Sequence, residues 1–84
     1  MLKKIVSNNE SMYFNKDSVR VIRVAPHPTE TDWAQVVITI SENNNFFTPY
    51  VSAYIPQFQS VEELSKKVDE FINSDEEILD LREE

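Results

Sequence analysis

Residues 19–40, with the sequence VRVIRVAPHPTETDWAQVVITI, decide the fold because they hold the two strongest strand patterns of the chain and the loop between them. In residues 32–41, apolar side chains occupy every second position: Ala34, Val36, Ile38 and Ile40. This alternation is typical of a strand with one face against a core. In residues 18–25, the apolar positions change parity near Val21, which predicts a bulge or bend there. A central strand covered on both faces would show a similar pattern.

Three further strand patterns lie outside this stretch, at residues 2–6, 11–14 and 46–55. A strongly bent central strand lets a small sheet curl back on itself. The expected fold is therefore mainly β with a C-terminal α part: a small, five-stranded, strongly bent antiparallel barrel followed by one or two short helices. Lys3 and Lys4 suit an exposed edge strand, Asn15–Asp17 a hairpin turn into the central strand, and Pro49 an edge position. Since glycine is absent, we expect positive φ angles at the asparagine clusters 8–9, 15 and 43–45.

The chain reads as one domain, residues 1–84, with a β part at 1–56 and an acidic helical tail at 57–84. Ser60 and Glu63 have the spacing of a capping box, which predicts a helix start. Apolar residues then recur at helical spacing: Val61, Leu64, Val68, Phe71 and Ile72. Ser74 and Glu77 repeat the capping-box spacing, so the sequence predicts a second, shorter helix at residues 76–81.

Several chemistries are unexpected for this composition. The chain has no cysteine and no glycine, which excludes disulfides, thiolate chemistry and the glycine-dependent phosphate-binding loops. The single histidine, His27, lies between two prolines in a loop and is interpreted as an exposed loop residue. The carboxylates of Asp75, Glu76, Glu77 and Asp80 lack the spacing of a calcium loop and suit a helix N-terminus. We therefore expect no enzymatic activity, no catalytic residue, no metal and no cofactor.

Charge is divided unevenly along the chain. Residues 1–55 carry five basic and five acidic side chains, whereas residues 56–84 carry three basic and ten acidic ones, so the tail holds the whole net charge of −7. Basic and aromatic side chains in the β part form a candidate nucleic-acid surface: Lys3, Lys4, Lys16, Arg20, Arg23, Tyr13 and Tyr50. Solvated strand edges with protective charges would explain the same basic residues.

A second candidate surface is the aromatic stripe, which we define as Phe46, Tyr50 and Tyr54. These rings alternate with the apolar residues of their strand and so point away from the core. Three exposed rings in a small domain suggest a covering element. The sequence leaves three alternatives for these rings. The C-terminal helix covers them, a neighbouring subunit covers them and the stripe is an oligomer interface, or the rings stack on a ligand.

The strand pattern of residues 2–55 resembles the small barrel of the Sm-like proteins, a family that includes a bacterial RNA chaperone. Residues 4–13, KIVSNNESMY, also resemble part of short proteins carried by marine cyanophages. The Sm-like glycines and base-contacting motifs are absent here, so no binding residue is transferred from that family. The resemblance implies a ring of identical subunits joined edge strand to edge strand, with RNA as the ligand.

Two functions remain open from the sequence. The first is a non-enzymatic, ring-forming RNA-binding protein of phage-like origin. The second is an acidic protein–protein interaction protein, or an inhibitor whose tail imitates nucleic-acid charge. No apolar run approaches the roughly 20 residues that span a bilayer, and residues 1–6 are too short for a signal peptide. We expect a soluble protein in the cytoplasm of an infected or host bacterial cell, with no membrane partner.

Overall fold

A computed structural model describes residues 1–8 and 10–83. The described chain contains seven strands and one α-helix: β1 (Leu2–Val6), β2 (Ser11–Asn15), β3 (Val19–Pro26), β4 (Trp33–Glu42), β5 (Asn45–Phe47), β6 (Tyr50–Tyr54), α1 (Val61–Ile72) and β7 (Ile78–Asp80). Two 3-10 helices, Lys16–Ser18 and Ile55–Phe58, follow β2 and β6. The fold is mainly β with a helix near the C-terminus, as predicted.

The strands form two sheets and not a closed barrel. Sheet 1 has the order β2-β1-β7, in which β1 pairs antiparallel with β2 and parallel with β7. Sheet 2 is centred on β4, which pairs antiparallel with β3 on one side and with β5 and β6 on the other. The predicted barrel and its five strands are therefore wrong. In place of a barrel, β1 and β2 form a separate sheet with the C-terminal strand β7, for which the sequence predicts a helix.

The strand predicted at residues 46–55 is divided into β5 and β6. The interruption falls at Pro49, whose nitrogen carries no hydrogen to donate to a neighbouring strand. Its carbonyl oxygen still accepts a hydrogen bond from the amide of Ile38 at 3.1 Å. Both pieces pair only with β4 in the described sheet, so the predicted edge position of Pro49 is confirmed.

Sheet 2 confirms the strand patterns that decide the fold. The alternate apolar residues of β4 are all buried: Ala34, Val36, Ile38 and Ile40. The pairing of β3 with β4 shifts register between Val19 and Val21, so the parity change marks a bulge. Beyond the bulge, Ile22 and Val24 continue on the core side, partly buried.

Two expectations about the first strands are wrong. β1 is the central strand of sheet 1, not an edge strand. The predicted hairpin between β2 and β3 does not form, because β2 pairs with β1 and β3 belongs to the other sheet. Between them, Asn15 caps the 3-10 helix, and its side-chain oxygen accepts from the amide of Asp17 at 3.0 Å.

Helix α1 closes the core on the inner side of sheet 2, where it contacts β3. It begins as predicted, since the amide of Glu63 donates to the hydroxyl of Ser60 at 3.1 Å. The residues at helical spacing that enter the core are Leu64, Val68, Phe71 and Ile72. Burial of each such side chain contributes roughly 1.5–3 kcal/mol. The helix therefore belongs to the same core as both sheets.

The predicted second helix is wrong, because strand β7 occupies its place. Leu79 and Leu81 are buried two residues apart, whereas Ile78 is 57% exposed. The amide of Lys4 donates to the carbonyl of Glu77 at 2.8 Å, and the amide of Leu81 donates to the carbonyl of Val6 at 2.7 Å. The hydroxyl of Ser74 accepts from the amide of Glu76 and donates to the carbonyl of Phe71, so it stabilises a turn.

The turns use residues other than glycine at positive φ. Asn43 and Asn44 adopt φ angles of 51° and 66° in the hairpin between β4 and β5, as predicted for that cluster. Asn15 instead has an extended φ of −88°, and Asn9 lies outside the described residues. Gln59 has a φ of 75° after the second 3-10 helix, a position that the sequence did not indicate.

Candidate functional site

Lys3, the first residue of the candidate nucleic-acid surface, lies in the core. Its side chain is fully buried, on the face of β1 that also carries Ile5. The ammonium group donates to the carbonyl oxygens of Phe71, Ser74 and Glu76 and lies 4.4 Å from the centroid of the Phe71 ring. The carbonyls at a helix C-terminus carry partial negative charge, which stabilises a cation there. In this structure Lys3 is therefore not accessible to a phosphate.

The other basic residues do not share one sheet face. Lys4 lies on the outer face of sheet 1, with its ammonium group 5.0 Å from the ring centroid of Tyr13. Lys16 lies in the first 3-10 helix, and Arg20 lies at the bulge of β3. Arg23 lies on the outer face of sheet 2, opposite Val37. The predicted surface is therefore divided between the two sheets.

The outer face of sheet 2 is the surface that gathers aromatic side chains. Strand register places the following side chains on it: Val21, Arg23, Ala25, Trp33, Gln35, Val37, Thr39, Ser41, Phe46, Tyr50, Ser52 and Tyr54. Helix α1 packs against the opposite, inner face. The expectation that the C-terminal helix covers the aromatic stripe is therefore wrong. A neighbouring subunit or a ligand remains as the possible cover.

The rings of the stripe differ in how they are supported. Phe46 is 70% exposed and Tyr50 is 51% exposed. Tyr54 is half-buried, with its ring centroid 5.5 Å from that of Trp33 at an interplanar angle of 60°. The three rings follow one edge of the sheet at every fourth residue, so neighbouring rings are about 13 Å apart along the strand. At this spacing, each ring can stack on a different flat group of a ligand.

The same face also differs from the rest of the protein in charge. Its strand positions carry one cation, Arg23, and none of these described positions carries a carboxylate, although the chain as a whole has a net charge of −7. Arg23, Val37 and Tyr50 form one row across the three strands. Adjacent strands lie about 4.8 Å apart, so the backbones of Arg23 and Tyr50 are about 10 Å apart. A polyanion with flat rings can contact both residues without meeting a negative charge on the sheet.

An open cleft of about 520 Å³ lies next to this face. Tyr54 of the outer face belongs to its lining, and the remaining lining residues are Gln57, Phe58, Lys67, Asp80, Arg82 and Glu83. The side-chain nitrogen Nε2 of Gln57 donates to the backbone carbonyl of Leu81 at 3.0 Å and so holds the C-terminal segment in place. The cleft therefore depends on the 3-10 helix, α1 and the segment after β7 together.

One ion pair, Asp80 with Arg82, belongs to the lining of the cleft. The guanidinium of Arg82 donates to both carboxylate oxygens of Asp80, at 2.9 and 2.7 Å. These hydrogen bonds, with a further one from the Arg82 backbone amide, lower the pKa of Asp80 from 3.8 to about 2. The same contact raises the pKa of Arg82. Both groups therefore stay ionised near neutral pH.

The remaining candidate groups have structural surroundings. The ring nitrogen Nδ1 of His27 lies 3.1 Å from the backbone amides of Thr29 and Glu30, which places the histidine inside the loop turn. Among residues 1–8 and 10–83, no three His, Asp or Glu side chains gather as potential metal ligands. In the same residues, no helix is both long and apolar enough to cross a bilayer.

Comparisons with protein-family models, with curated proteins and with solved structures found no match for this chain. The fold and the surface therefore carry the functional argument. They define a small two-sheet domain in which the outer face of sheet 2 is uncovered and carries several aromatic side chains. The sequence indicated the stripe through its alternation, but it missed the Trp33–Tyr54 pair and the cleft, whose residues come from distant parts of the chain.

Proposed function

We propose that this chain is a non-enzymatic protein that binds single-stranded RNA on the outer face of sheet 2 and acts as an assembly of identical subunits. The observation that carries the proposal is the uncovered aromatic stripe beside Arg23 on a face whose strand positions carry no carboxylate. Unpaired bases stack on exposed aromatic rings, and an arginine can contact the phosphates. Double-stranded RNA would offer this flat face no exposed base surfaces.

The assembly is proposed to form through β3. This strand has eight residues and pairs only with β4 in the described structure, so its other side can accept a further strand. Its partly buried core-side residues, Val19, Ile22 and Val24, would become more buried beside a second copy. A small domain gains burial by association. Edge pairing of this kind is what the Sm-like resemblance implies, and that resemblance and the phage-like origin stay predictions.

Binding is tested by fluorescence anisotropy with a labelled 12-nucleotide oligouridine. The variant Tyr50→Ala removes a ring that is 51% exposed, and we expect its dissociation constant to rise about tenfold, since stacking of one base on an aromatic ring contributes roughly 1–3 kcal/mol. The matched control is Tyr13→Ala, which removes a ring that is 61% exposed on the outer face of sheet 1. Circular dichroism verifies that both variants fold.

The outcomes separate the two surfaces. Weaker binding by Tyr50→Ala with unchanged binding by Tyr13→Ala supports the outer face of sheet 2. The reverse result moves the site to sheet 1, and an absence of binding by the unaltered protein overturns the RNA proposal. Light scattering after gel filtration tests the assembly over a wide concentration range. A monomer at every concentration would contradict edge pairing through β3.

A second candidate function is recognition of a basic protein surface by the acidic side chains. The outward side of α1 exposes Glu62, Glu63, Asp69 and Glu70, and residues 75–77 add three more exposed carboxylates. Lys66 and Lys67 lie among those helix residues, so the helix surface has mixed charge. This mixture is unlike the continuous negative charge of a nucleic-acid backbone. Charge-neutral variants at Glu62 and Asp69 would abolish binding to a basic partner and leave RNA binding unchanged.

A further inference from the structure

The cleft beside sheet 2 shares one residue with the proposed RNA surface. Tyr54 pairs with Trp33 on the outer face of sheet 2 and also belongs to the lining of the cleft. A strand that follows the aromatic stripe from Phe46 past Tyr50 would arrive at Tyr54, the residue shared with the cleft. The volume of about 520 Å³ lies within the range of clefts that hold small ligands.

The free hydrogen-bonding groups of the cleft limit which ligand fits. Both carboxylate oxygens of Asp80 accept hydrogen bonds from Arg82, so this carboxylate is occupied. In Glu83, Oε2 accepts from the side-chain amide of Asn8 at 3.1 Å, and the backbone amide of Glu83 donates to the same side chain at 2.7 Å. These two hydrogen bonds hold Glu83 in place. Its other carboxylate oxygen, Oε1, makes no hydrogen bond to Asn8. The lining of the cleft thus combines a carboxylate held by Asn8 with two aromatic residues, Tyr54 and Phe58.

We propose that this cleft holds one unstacked base of the bound RNA strand and prefers guanine. This inference rests on the proposed RNA-binding function. The lining carries two carboxylates, Asp80 and Glu83, and two cations, Lys67 and Arg82, so it has no net positive charge that would favour a phosphate. An uncharged, flat ring can lie against Tyr54 and Phe58 of the same lining. Single-stranded RNA is recognised by bases that splay out, stack on aromatic side chains and form hydrogen bonds through their Watson–Crick edges. Guanine presents adjacent N–H donors on that edge, which suit a carboxylate acceptor, while uracil presents one.

The first test uses mononucleotides, so it does not depend on binding by a whole strand. The ¹⁵N-labelled protein is titrated with guanosine monophosphate and, separately, with uridine monophosphate. We expect guanosine monophosphate to shift the side-chain signals of Gln57, Arg82 and Asn8 at concentrations where uridine monophosphate does not. Equal shifts with both nucleotides, or shifts confined to other residues, overturn the assignment of this cleft to guanine.

The second test uses strands and the variant Glu83→Gln. For the unaltered protein, we expect an oligouridine that contains one guanosine near either end to bind about tenfold more tightly than the all-uridine strand, because Oε1 of Glu83 and the second lone pair of its Oε2 can accept both N–H donors of guanine. Glu83→Gln should reduce this ratio toward one. Glu42→Gln, at an exposed carboxylate at the end of β4, is the matched control and should keep the ratio.

The results distinguish this inference from the function on which it rests. If strands bind and Tyr50→Ala weakens them but guanosine gives no advantage, the RNA-binding proposal stands and the guanine cleft is wrong. If no strand binds, the RNA-binding proposal fails; shifts of the cleft signals with guanosine monophosphate would then support a nucleotide site of its own. If neither strands nor mononucleotides bind, both proposals fail.

Discussion

The side-chain nitrogen of Lys3 lies 3.0 Å from the carbonyl oxygen of Phe71 and 4.4 Å from the centroid of the Phe71 ring. One residue of β1 thus contacts both the backbone at the end of α1 and a side chain of the core. The separation of 68 residues along the chain makes this contact a link between the N-terminal sheet and the C-terminal segment. Because the carbonyls of Ser74 and Glu76 accept from the same ammonium group, Lys3 also holds the turn that leads into β7.

We expect Lys3→Met to lower the free energy of unfolding by about 2–4 kcal/mol. Methionine keeps the length of the side chain but leaves buried carbonyl oxygens without their donor, and each unsatisfied buried polar group costs roughly 1–3 kcal/mol. Urea unfolding measures the change. The control is Lys4→Met, at the neighbouring residue on the outer face of sheet 1, which should change stability by less than about 0.5 kcal/mol. Equal midpoints for the two variants would contradict this role of Lys3.

The strand form of β7 predicts how much stability is lost when each of three neighbouring apolar residues, Ile78, Leu79 and Leu81, is truncated to alanine. Leu79→Ala should cost about 2–4 kcal/mol, because Leu79 is 6% exposed and its truncation leaves a cavity. Ile78→Ala should cost less than about 1 kcal/mol, since Ile78 is 57% exposed. A helix that buried Ile78 would give the reverse order. Urea unfolding of the two variants, with Leu81→Ala as a second buried position, therefore tests whether the segment is a strand.

The sequence predicts the elements whose signal lies within their own residues. β4 alternates over ten residues and α1 repeats its apolar positions over twelve, so both were found with their buried faces. β7 has only three residues, and its strand form depends on hydrogen bonds with β1, some seventy positions away in the chain. Local spacing in such a short segment suits a helix equally well. The capping-box spacing at Ser74 then strengthened the wrong interpretation.

Lys3 shows why the site was only partly predictable. In β1, Leu2 and Val6 share one face with Lys4, whereas Lys3 shares the other with Ile5, so hydrophobicity alone favours the wrong face for the core. The carbonyl groups that accept from Lys3 come from residues 71–76 and leave no trace in the local pattern. The aromatic stripe was found because its rings alternate within one segment. The sequence does not indicate the cleft, because its lining combines residues 54, 57 and 58 with Lys67 and residues 80, 82 and 83.

The ion pair of Asp80 and Arg82 predicts a pH dependence that NMR can follow. The pKa of Asp80 should be about 2 in the folded protein, below its ordinary value of 3.8, because Arg82 hydrogen-bonds the ionised carboxylate. Since the folded pKa is the lower one, the contribution of this pair to stability is present above pH 3.8 and is lost as the pH falls through about 2. Arg82→Gln should bring the titration midpoint of Asp80 back toward 3.8. An unchanged midpoint in Arg82→Gln, compared with a Lys66→Gln control, would show that Arg82 is not the cause.

The charge of the outer face of sheet 2 predicts how RNA binding responds to salt. Each phosphate contact to a single strand adds about −0.7 to the slope of log K against log salt concentration. With Arg23 as the cation on this face, we expect a shallow slope, on the order of −0.7 to −1.4, with stacking on Phe46 and Tyr50 supplying the salt-independent part. Arg23→Gln should reduce the slope by about 0.7, whereas Lys66→Gln on α1 should leave it unchanged. A steep slope that Arg23→Gln does not alter would mean that cations outside this face hold the phosphates and that the strand lies elsewhere on the protein.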